Sequence, residues 1–549
     1  MIAREQRVIV YLLILALTVT MLAGCGSSND DDPAGSAKPG NPVAGGDLVI
    51  GVSEEPASLN PLLPEGTSMA TKLVTSNILW GLLVVTPSLT HAPRIAETVP
   101  TLENGLVTQN PFTVTYRIKE EATWSDGEPI TSWDVEFTWQ NIMDPKRNEV
   151  DREGYDKIET IQTPDAKTVK IIFKEPYTHY KELFSTTYPI LPKHLLNGRA
   201  YDDLLSEMIT FASGPYRFKK WVKGKTITIT RNENFWGEAP YIDQAVFTFT
   251  PKSDSLFRGL EESTLDMVYA PSDIKFIERL ITLEGKEVRI EPGLVWEHVG
   301  FNLKNSFLAD ENVRKAIAHA LDRKKIAKEA TGDEKVLQSV VVPQQDSYYV
   351  ASWKAYDYNP DKARSYLEKA GLSRGANGVY EKDGKPLKLA ISTTAGNGVR
   401  ERTVEIIQEN LTRVGIRAEV ENASEETLFN KKLPGGDFDM GVWAWLAGDE
   451  PKLRHLFASD MTPPAGFNYY GYADSFLTDV VKRVSKTVNQ KERAAVYRIA
   501  QDKLGGDVVV IPLYQHPHVI AYDGRVKGVR DNISFESPFW NLHECWIAK

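Results

Sequence analysis

The sequence predicts a mixed α/β protein of two or three domains that follows an N-terminal export segment. Short strands with alternating apolar residues dominate the first half of the chain, whereas strands and helices alternate in the second half. About 500 residues remain after position 46, which is more than one hydrophobic core normally serves. We therefore expect several layered α/β domains.

The N-terminal residues have the composition of a secretory signal. Arg4 and Arg7 precede an apolar run from Val8 to Met21, which is shorter than the roughly 20 residues of a membrane span. A positive segment followed by a short apolar one is typical of a signal peptide. Residues 1–24 are therefore predicted to direct export and to be removed.

The cysteine after this run is predicted to be lipidated. Leu22-Ala-Gly-Cys25 resembles the lipobox of bacterial lipoproteins; the alternative is a plain signal peptide in which Cys25 has no role. Two acyl chains on Cys25 would be enough for stable anchoring, and Cys545, the second of two cysteines, would remain a lone thiol. Residues 25–46 are rich in Gly, Ser, Pro and Asp and are predicted to form a flexible tether. We expect a cell-membrane lipoprotein that faces the extracellular or periplasmic side.

The charge of the chain excludes one class of partner. The formal net charge is −10, and no basic run stands out. An acidic chain without a basic patch argues against binding to nucleic acid or to a membrane surface through a polybasic face.

The first half of the chain is predicted to be rich in strands. The segment from Thr131 to Ile142 has helical spacing after a Thr or Ser cap, and Ser125–Pro129 has turn composition. Two of the strands, 225–231 and 245–250, alternate so regularly that we expect them to be neighbours in a sheet. The predicted strands are 47–53, 112–118, 167–173, 225–231 and 245–250.

The second half contains a predicted β-α-β unit. A strand at 387–392, a helix at 399–414 and a strand at 416–420 follow each other as in a parallel crossover. The apolar strand 438–445 has the composition to join the same sheet. The remaining predicted elements are helices at 312–328, 361–370 (capped by Asn359 and ended by Gly371) and 490–504, and a strand at 508–513.

Seven segments, in this order, resemble the extracellular solute-binding proteins of the peptide and nickel transporter family. They are SLNP (58–61), FTVTYRIKEEATWSDGEPITSWDV (112–135), GPYRFKKWVKGKTITITRNENFWG (214–237), VRKAIAHALDRKKI (313–326), YNPDKARSYLEKAG (358–371), GDFDMGVWAW (436–445) and IPLYQ (511–515). The resemblance implies a non-catalytic, monomeric binding subunit without cofactor, which delivers a peptide to an ABC permease and its ATPase.

The resemblance also implies a two-lobed α/β fold of the periplasmic-binding-protein type (class II, cluster C) with an extra small domain. Hinges are expected near Leu294–Gly300 and Leu513–His518. The implied domains are domain I (47–77, 211–296 and 515–549), domain II (78–210) and domain III (297–514).

In peptide-binding members of the family the ligand is held as an added strand, so main-chain hydrogen bonds supply affinity. A loop and a strand of this chain match the segments that flank the ligand. The alternative for the loop is that it is a plain surface loop, and the alternative for the tryptophans of the strand is that they are ordinary core residues. The implied ligand-binding residues are Glu65, Gly66 and Thr67 in the loop and Val442, Trp443 and Trp445 in the strand.

Asp449 is the implied anchor for the peptide's amino terminus. The segment from Trp445 to Pro451 is one residue shorter than in the peptide-binding pattern, which leaves other ligands of the family open: an oligosaccharide, an opine or a nickel chelate. Flat aromatic rings suit sugars. Sugar-stacking platforms, or alternatively packing residues, are expected among Trp80, Trp296, Trp353, Trp443, Trp445 and Trp540.

Enzyme motifs are absent from the sequence. It contains no Gly-x-Ser-x-Gly, no His-Glu-x-x-His and no Cys-x-x-Cys. His516-Pro-His518 is a weak candidate for metal ligation, and we predict neither a metal nor a catalytic site. A sensor that binds a peptide signal without importing it remains the alternative to an importer subunit.

Overall fold

The computed structural model describes residues 41–147, 152–185, 188–199, 208–534 and 536–548. The predicted signal peptide, Cys25 and most of the tether lie outside these residues. From residue 42 onward the chain forms one compact unit. No helix within the described ranges is long and apolar enough to cross a membrane.

The strands are distributed over the whole described chain. They are β1 Asp47–Val52, β2 Leu83–Val85, β3 His91–Pro93, β4 Val107–Gln109, β5 Phe112–Arg117, β6 Ile158–Asp165, β7 Thr168–Phe173, β8 Tyr216–Val222, β9 Thr226–Arg231, β10 Gln244–Phe249, β11 Met267–Ala270, β12 Lys286–Phe301, β13 Ser373–Arg374, β14 Tyr380–Lys382, β15 Lys385–Pro386, β16 Lys388–Ser392, β17 Arg417–Val420, β18 Met440–Leu446, β19 Val510–Asp523, β20 Val526–Lys527 and β21 Trp546–Ile547.

The helices are also distributed over the whole described chain. They are α1 Met69–Thr75, α2 Ser132–Met143, α3 Lys193–Leu196, α4 Ser253–Glu261, α5 Ile274–Leu280, α6 Glu311–Ala320, α7 Arg323–Thr331, α8 Pro360–Lys369, α9 Gly398–Arg413, α10 Leu453–Phe457, α11 Ser475–Val484 and α12 Gln490–Asp507. A short helical segment spans Glu425–Thr427, Leu428–Lys432 and Leu433–Gly435, and single turns lie at Pro64–Gly66, Tyr155–Lys157, Tyr180–Glu182 and Leu542–Glu544.

A ten-stranded mixed sheet runs through the molecule in the order β17-β16-β18-β12-β19-β11-β1-β10-β9-β8. Its fourth and fifth strands are the antiparallel pair β12 and β19, the two longest strands described. The predicted neighbours β9 and β10 pair antiparallel, and β1 lies parallel to β10 and β11. The prediction of a short strand at 508–513 missed the length of β19, because this strand continues to Asp523.

The predicted β-α-β unit is confirmed. β16 and β17 pair in parallel across α9, and β18 joins the other side of β16, also in parallel. The side chain of Asn397 caps α9 by accepting a hydrogen bond from the backbone N–H of Arg400. This end of the sheet is therefore parallel, as alternating strands and helices predict.

One helix prediction is wrong. The single helix expected over 312–328 is two helices, because Leu321 leaves helical geometry (φ −84°, ψ 122°) after α6. Asp322 then starts α7 by accepting a hydrogen bond from the backbone N–H of Lys325. Asp322 interrupts the apolar periodicity of the predicted helix, and an aspartate in such a position indicates the N-cap of a second helix.

A smaller antiparallel sheet has the order β4-β5-β7-β6, and its buried residues share a core cluster with those of β1, β8, β9 and β10. The strands predicted at 112–118 and 167–173 are its two central strands. The predicted helix begins at the expected cap, where Thr131 and Asp134 form a reciprocal capping box.

The buried side chains separate into two large clusters, which correspond to two lobes of an α/β fold. One cluster collects Leu89 and residues between Leu294 and Tyr514, and the other collects residues from Leu48 to Met267 and from Ile520 to Cys545. A third, smaller cluster lies between α4, α5, β11 and β19. β12 and β19 connect the lobes. Their pairing shifts register between Pro292 and Trp296 and again between Glu297 and His298, within one of the segments where a hinge is predicted.

Candidate functional site

A cavity of about 630 Å³ has three walls, which are built from several separate segments of the chain. Its size is within the roughly 300–1,000 Å³ of small-ligand sites. The first wall is formed by Leu62, Leu63, Thr67, Lys72, Ser534 and Glu536; the second by Val85, Glu153, Tyr155, Tyr177, Glu182, Leu183, Ser185 and Tyr188; and the third by Trp445, Leu446, Ala447, Gly448, Asp449 and Lys452.

The predicted loop reaches this cavity through one of its three residues. Thr67 lines the wall, whereas Glu65 is exposed and is absent from the lining. Gly66 is buried, and a Cβ atom there would lie 1.7 Å from the carbonyl oxygen of Asn60. The absence of a side chain at Gly66 therefore allows the backbone of the loop to pack closely against Asn60, where the loop begins.

The predicted strand, now β18, reaches the cavity at its C-terminal end. Trp445 lines the wall, but the side chains of Val442 and Trp443 are fully buried. Trp443 stacks on Tyr470, with ring centroids 5.7 Å apart. The side chain of Trp443 is therefore part of the hydrophobic core, which is the alternative that the sequence left open. Trp296 and Trp353 are also buried and have no face to offer a sugar.

β18 leaves part of one edge open near the cavity. The carbonyl oxygen of Val442 accepts a hydrogen bond from Thr393 Oγ1 (2.8 Å), on the side away from β12. Because peptide groups alternate in direction along a strand, those of Ala444 and Leu446 point to the same side. β16 pairs only with Met440–Gly441, and in the described part of the chain no strand continues that pairing.

Asp449 is a buried carboxyl group beside a neutral imidazole. Its side chain is 11% exposed, and Oδ2 lies 3.6 Å from His91 Nε2. Burial raises the pKa of Asp449 to about 7, and the charges of Glu182 and Glu450 act in the same direction. Burial also lowers the pKa of His91 to about 4, so this imidazole carries no charge at neutral pH.

The neighbouring acids have cationic partners. Glu450 is held by Arg493, with Oε1 to Nη2 at 2.6 Å and Oε2 to Nε at 3.0 Å. Glu182 pairs with His179 at 3.0 Å and with Lys452 at 3.6 Å. Burial lowers the pKa of His179, but the hydrogen bond and charge of Glu182 outweigh it and raise the pKa to about 9. Within the described ranges, no lysine or arginine lies within 4 Å of the Asp449 carboxyl group.

Ion pairs join the second and third walls around the cavity. Acidic side chains on or beside the second wall face basic ones on or beside the third: Glu182 with Lys452 (3.6 Å) and Glu175 with Lys486 (3.4 Å). Glu153 Oε1 also lies 3.4 Å from Nε2 of His455, whose pKa is lowered by burial. The two sides are therefore in contact and charge-complementary.

Sequence reasoning missed the buried charges of the first wall. Lys72 and Glu536 both line the cavity and are buried, although they are far apart in the chain. Burial lowers the pKa of Lys72 to about 7, against the opposing effect of the Glu536 charge. No local sequence pattern predicts that two charged residues so far apart in the chain line the same cavity. The cavity tyrosines at 155, 177 and 188 were missed for the same reason.

The candidate metal ligands have other partners. His516 Nε2 lies 2.7 Å from Glu297 Oε2, and His518 Nε2 lies 2.7 Å from Asp531 Oδ1. The described residues contain no group of three or more His, Cys, Asp or Glu side chains placed to hold a metal ion.

Comparisons with known proteins identify the family and the fold. Residues 92–460 match the family model of bacterial extracellular solute-binding proteins, family 5 (middle). The chain is 25% identical over 558 residues to the oligopeptide-binding protein AppA of Bacillus subtilis, covering all of both chains. The structure of a Bacillus subtilis AppA in complex with a nonapeptide has a TM-score of 0.72 at 24% identity, covering 93% of this chain and all of that one. The periplasmic EDTA-binding protein EppA has a TM-score of 0.82 at 25% identity, covering 93% and 98%.

Proposed function

We propose, from the premise that this chain belongs to the bacterial extracellular solute-binding proteins of family 5, that it captures short peptides with a free amino terminus for an ABC importer. Its relatives are binding proteins of transporters, and the oligopeptide-binding AppA aligns over its whole length. The peptide lies in the cavity between the lobes. The open edge of β18 next to Asp449 is the observation that carries this proposal.

The edge of β18 supports peptide binding through the main chain. The peptide groups of Ala444 and Leu446 point away from β12, into a position that β16 does not fill. An extended peptide added there satisfies these groups as a further strand would, and this mode needs no particular side chain. Trp445 and Leu446 both line the cavity, so the added strand lies inside it.

Asp449 supports the choice of a free amino terminus. A buried carboxylate is costly unless a cation pairs with it. The neighbouring imidazole of His91 is neutral, whereas Glu450 and Glu182 have their own partners. A peptide ammonium brings the missing charge, and it ionises Asp449 as it binds.

The same proposal includes the membrane attachment of the protein and its transporter partners. Cys25 carries the lipid, residues 25–46 tether the binding unit to the cell membrane, and a permease with its ATPase receives the peptide. The protein acts as a monomer. Support comes from the sequence around Cys25 and from the family. The domain boundaries at 77/78, 210/211, 296/297 and 514/515 belong to this proposal too.

The experiment compares a free and an N-acetylated peptide by isothermal titration, after mass spectrometry of ligands that copurify. We expect the acetylated peptide to bind far more weakly. Asp449→Ala should lose about 3–5 kcal/mol of binding free energy to the free peptide, since its ammonium is then buried alone. Asp437→Ala, which removes an exposed carboxylate, is the matched control and should bind normally.

Each opposite result has a definite meaning. Equal affinity for blocked and free peptides would remove Asp449 from the site but keep the peptide. Recovery of a sugar, an opine or a chelate, together with no response to any peptide, would overturn the peptide proposal and favour those ligands. An EDTA-binding relative shows that this fold accepts a chelator.

A further inference from the structure

We propose that Trp445, Phe467 and Tyr469 form a subsite for one aromatic or large apolar side chain of the ligand. We call these three residues the aromatic platform. The inference rests on the proposed function, because the ligand that brings the side chain is the peptide added to the edge of β18.

The three rings of the platform contact one another. Trp445 and Tyr469 are nearly parallel, with ring centroids 5.8 Å apart and planes at 22°. Phe467 lies 5.7 Å from Trp445 and 6.1 Å from Tyr469. Trp445 also lines the cavity, so the platform continues the cavity wall.

The platform exposes apolar surface beside the cavity. Phe467 is 48% exposed, and it packs against Trp445, which lines the cavity. A single exposed apolar side chain needs no explanation, but a contiguous apolar patch that borders a ligand cavity marks a binding surface. Since none of the three rings carries a charge, the patch suits an apolar group.

The loop that carries Phe467 and Tyr469 is held in place. Asn468 is 1% exposed and donates hydrogen bonds from Nδ2 to the carbonyl oxygens of Ala458 (2.9 Å) and Tyr472 (2.8 Å). The backbone N–H of Phe467 donates to the carbonyl oxygen of His455 at 2.9 Å. The exposed ring is therefore presented from a fixed backbone.

Trp445 is held as well. Its Nε1–H donates to the Tyr470 hydroxyl at 2.9 Å. A pre-positioned ring loses little conformational freedom when a ligand stacks on it, which favours affinity. Aromatic pairs prefer centroid separations of about 4.5–7 Å, the spacing that these rings already have among themselves.

Strand geometry determines how a peptide meets the platform. Side chains of an extended peptide alternate between the two faces of a sheet. Trp443 and Trp445 lie on one face of β18, so only every second side chain of an added strand points to that face. Selectivity for aromatic residues should therefore occur at one peptide position, or at two positions that are separated by one.

The test uses tetra-alanine and four variants of it, each with phenylalanine at one position, measured by isothermal titration. For the unmodified protein we expect phenylalanine at one position, or at two non-adjacent positions, to lower Kd by about threefold to tenfold relative to tetra-alanine. Phe467→Ala should abolish this gain and leave the Kd of tetra-alanine within about twofold.

Phe476→Ala is the matched control, because Phe476 is 55% exposed on α11 and does not line the cavity. It should keep the full gain. The inference is overturned if no position prefers phenylalanine, if adjacent positions prefer it equally, if Phe467→Ala keeps the gain, or if Phe467→Ala weakens all five peptides alike. Absence of binding by every peptide would instead overturn the proposed function.

Discussion

The protonation of Asp449 leads to a pH prediction. Its pKa is raised to about 7 by burial and by the charges of Glu182 and Glu450, so below pH 7 the free protein holds a neutral acid there. A peptide ammonium requires the carboxylate. We therefore expect the affinity for a free peptide to fall by up to about tenfold per pH unit as the pH drops below 7.

Above neutral pH the affinity is limited by deprotonation of the amino group of the peptide. The α-amino group of a peptide has a pKa of about 7.7–8.0, so affinity should be highest between about pH 7 and 8. His91 and His179 do not titrate at the acidic end of this range, since their pKa values are about 4 and about 9. Lys72 of the first wall, with a pKa of about 7, titrates together with Asp449, and the control below includes its contribution. Isothermal titration from pH 5.5 to 8.5 checks this. An N-acetylated peptide is the control, and equal slopes for both peptides would contradict the prediction.

At the level of secondary-structure elements, the crossing strands β12 and β19 depend on a buried ion pair. Glu297 is fully buried in β12, and its carboxylate accepts hydrogen bonds from Arg400 Nε at 2.9 Å and from His516 in β19 at 2.7 Å. Burial raises the pKa of Glu297, but these two partners outweigh it and lower the pKa. The pair therefore ties α9 to the register shift between the lobes.

Removing Arg400 should destabilise this crossing. Arg400→Met leaves the Glu297 charge buried with His516 alone, and we expect a loss of about 3 kcal/mol in the free energy of unfolding. Arg402→Met is the control on the same helix, because Arg402 is 42% exposed and its pairs lie in solvent; its cost should stay below about 1 kcal/mol. Denaturant unfolding measures both, and equal losses would show that the buried pair adds nothing.

For the whole molecule, the proposed anchor predicts where the protein is found. If Cys25 carries the lipid, the parent protein should fractionate with membranes. Cys25→Ser should release it into the medium or periplasm, because the acyl chains that anchor it are then missing. Fractionation followed by immunoblotting measures this. Cys545→Ser is the control: Cys545 is buried in the folded unit, and this variant should stay with membranes. A Cys25→Ser protein that remains membrane-bound would contradict the lipobox interpretation.

The sequence alone determined the class of the fold and most of its local elements. Alternation of apolar residues predicted β9 and β10, the β-α-β order predicted a parallel pair, and Thr131 and Asn359 marked helix starts. These features depend on residues that are close together in the chain, where periodicity and capping act. The ordered family segments likewise identified the solute-binding family, which the match over residues 92–460 confirms.

Only the tertiary structure decided what the cavity is made of. The long β19, the burial of Trp443 and the meeting of Lys72 with Glu536 result from packing between segments that are distant in sequence. The same burial sets the pKa of Asp449, which the sequence shows only as one more acid. Local patterns indicate which residues prefer the interior. Desolvation and charge pairing arise only when separate segments meet, and these effects give the candidate site its properties from residues that look ordinary in the sequence.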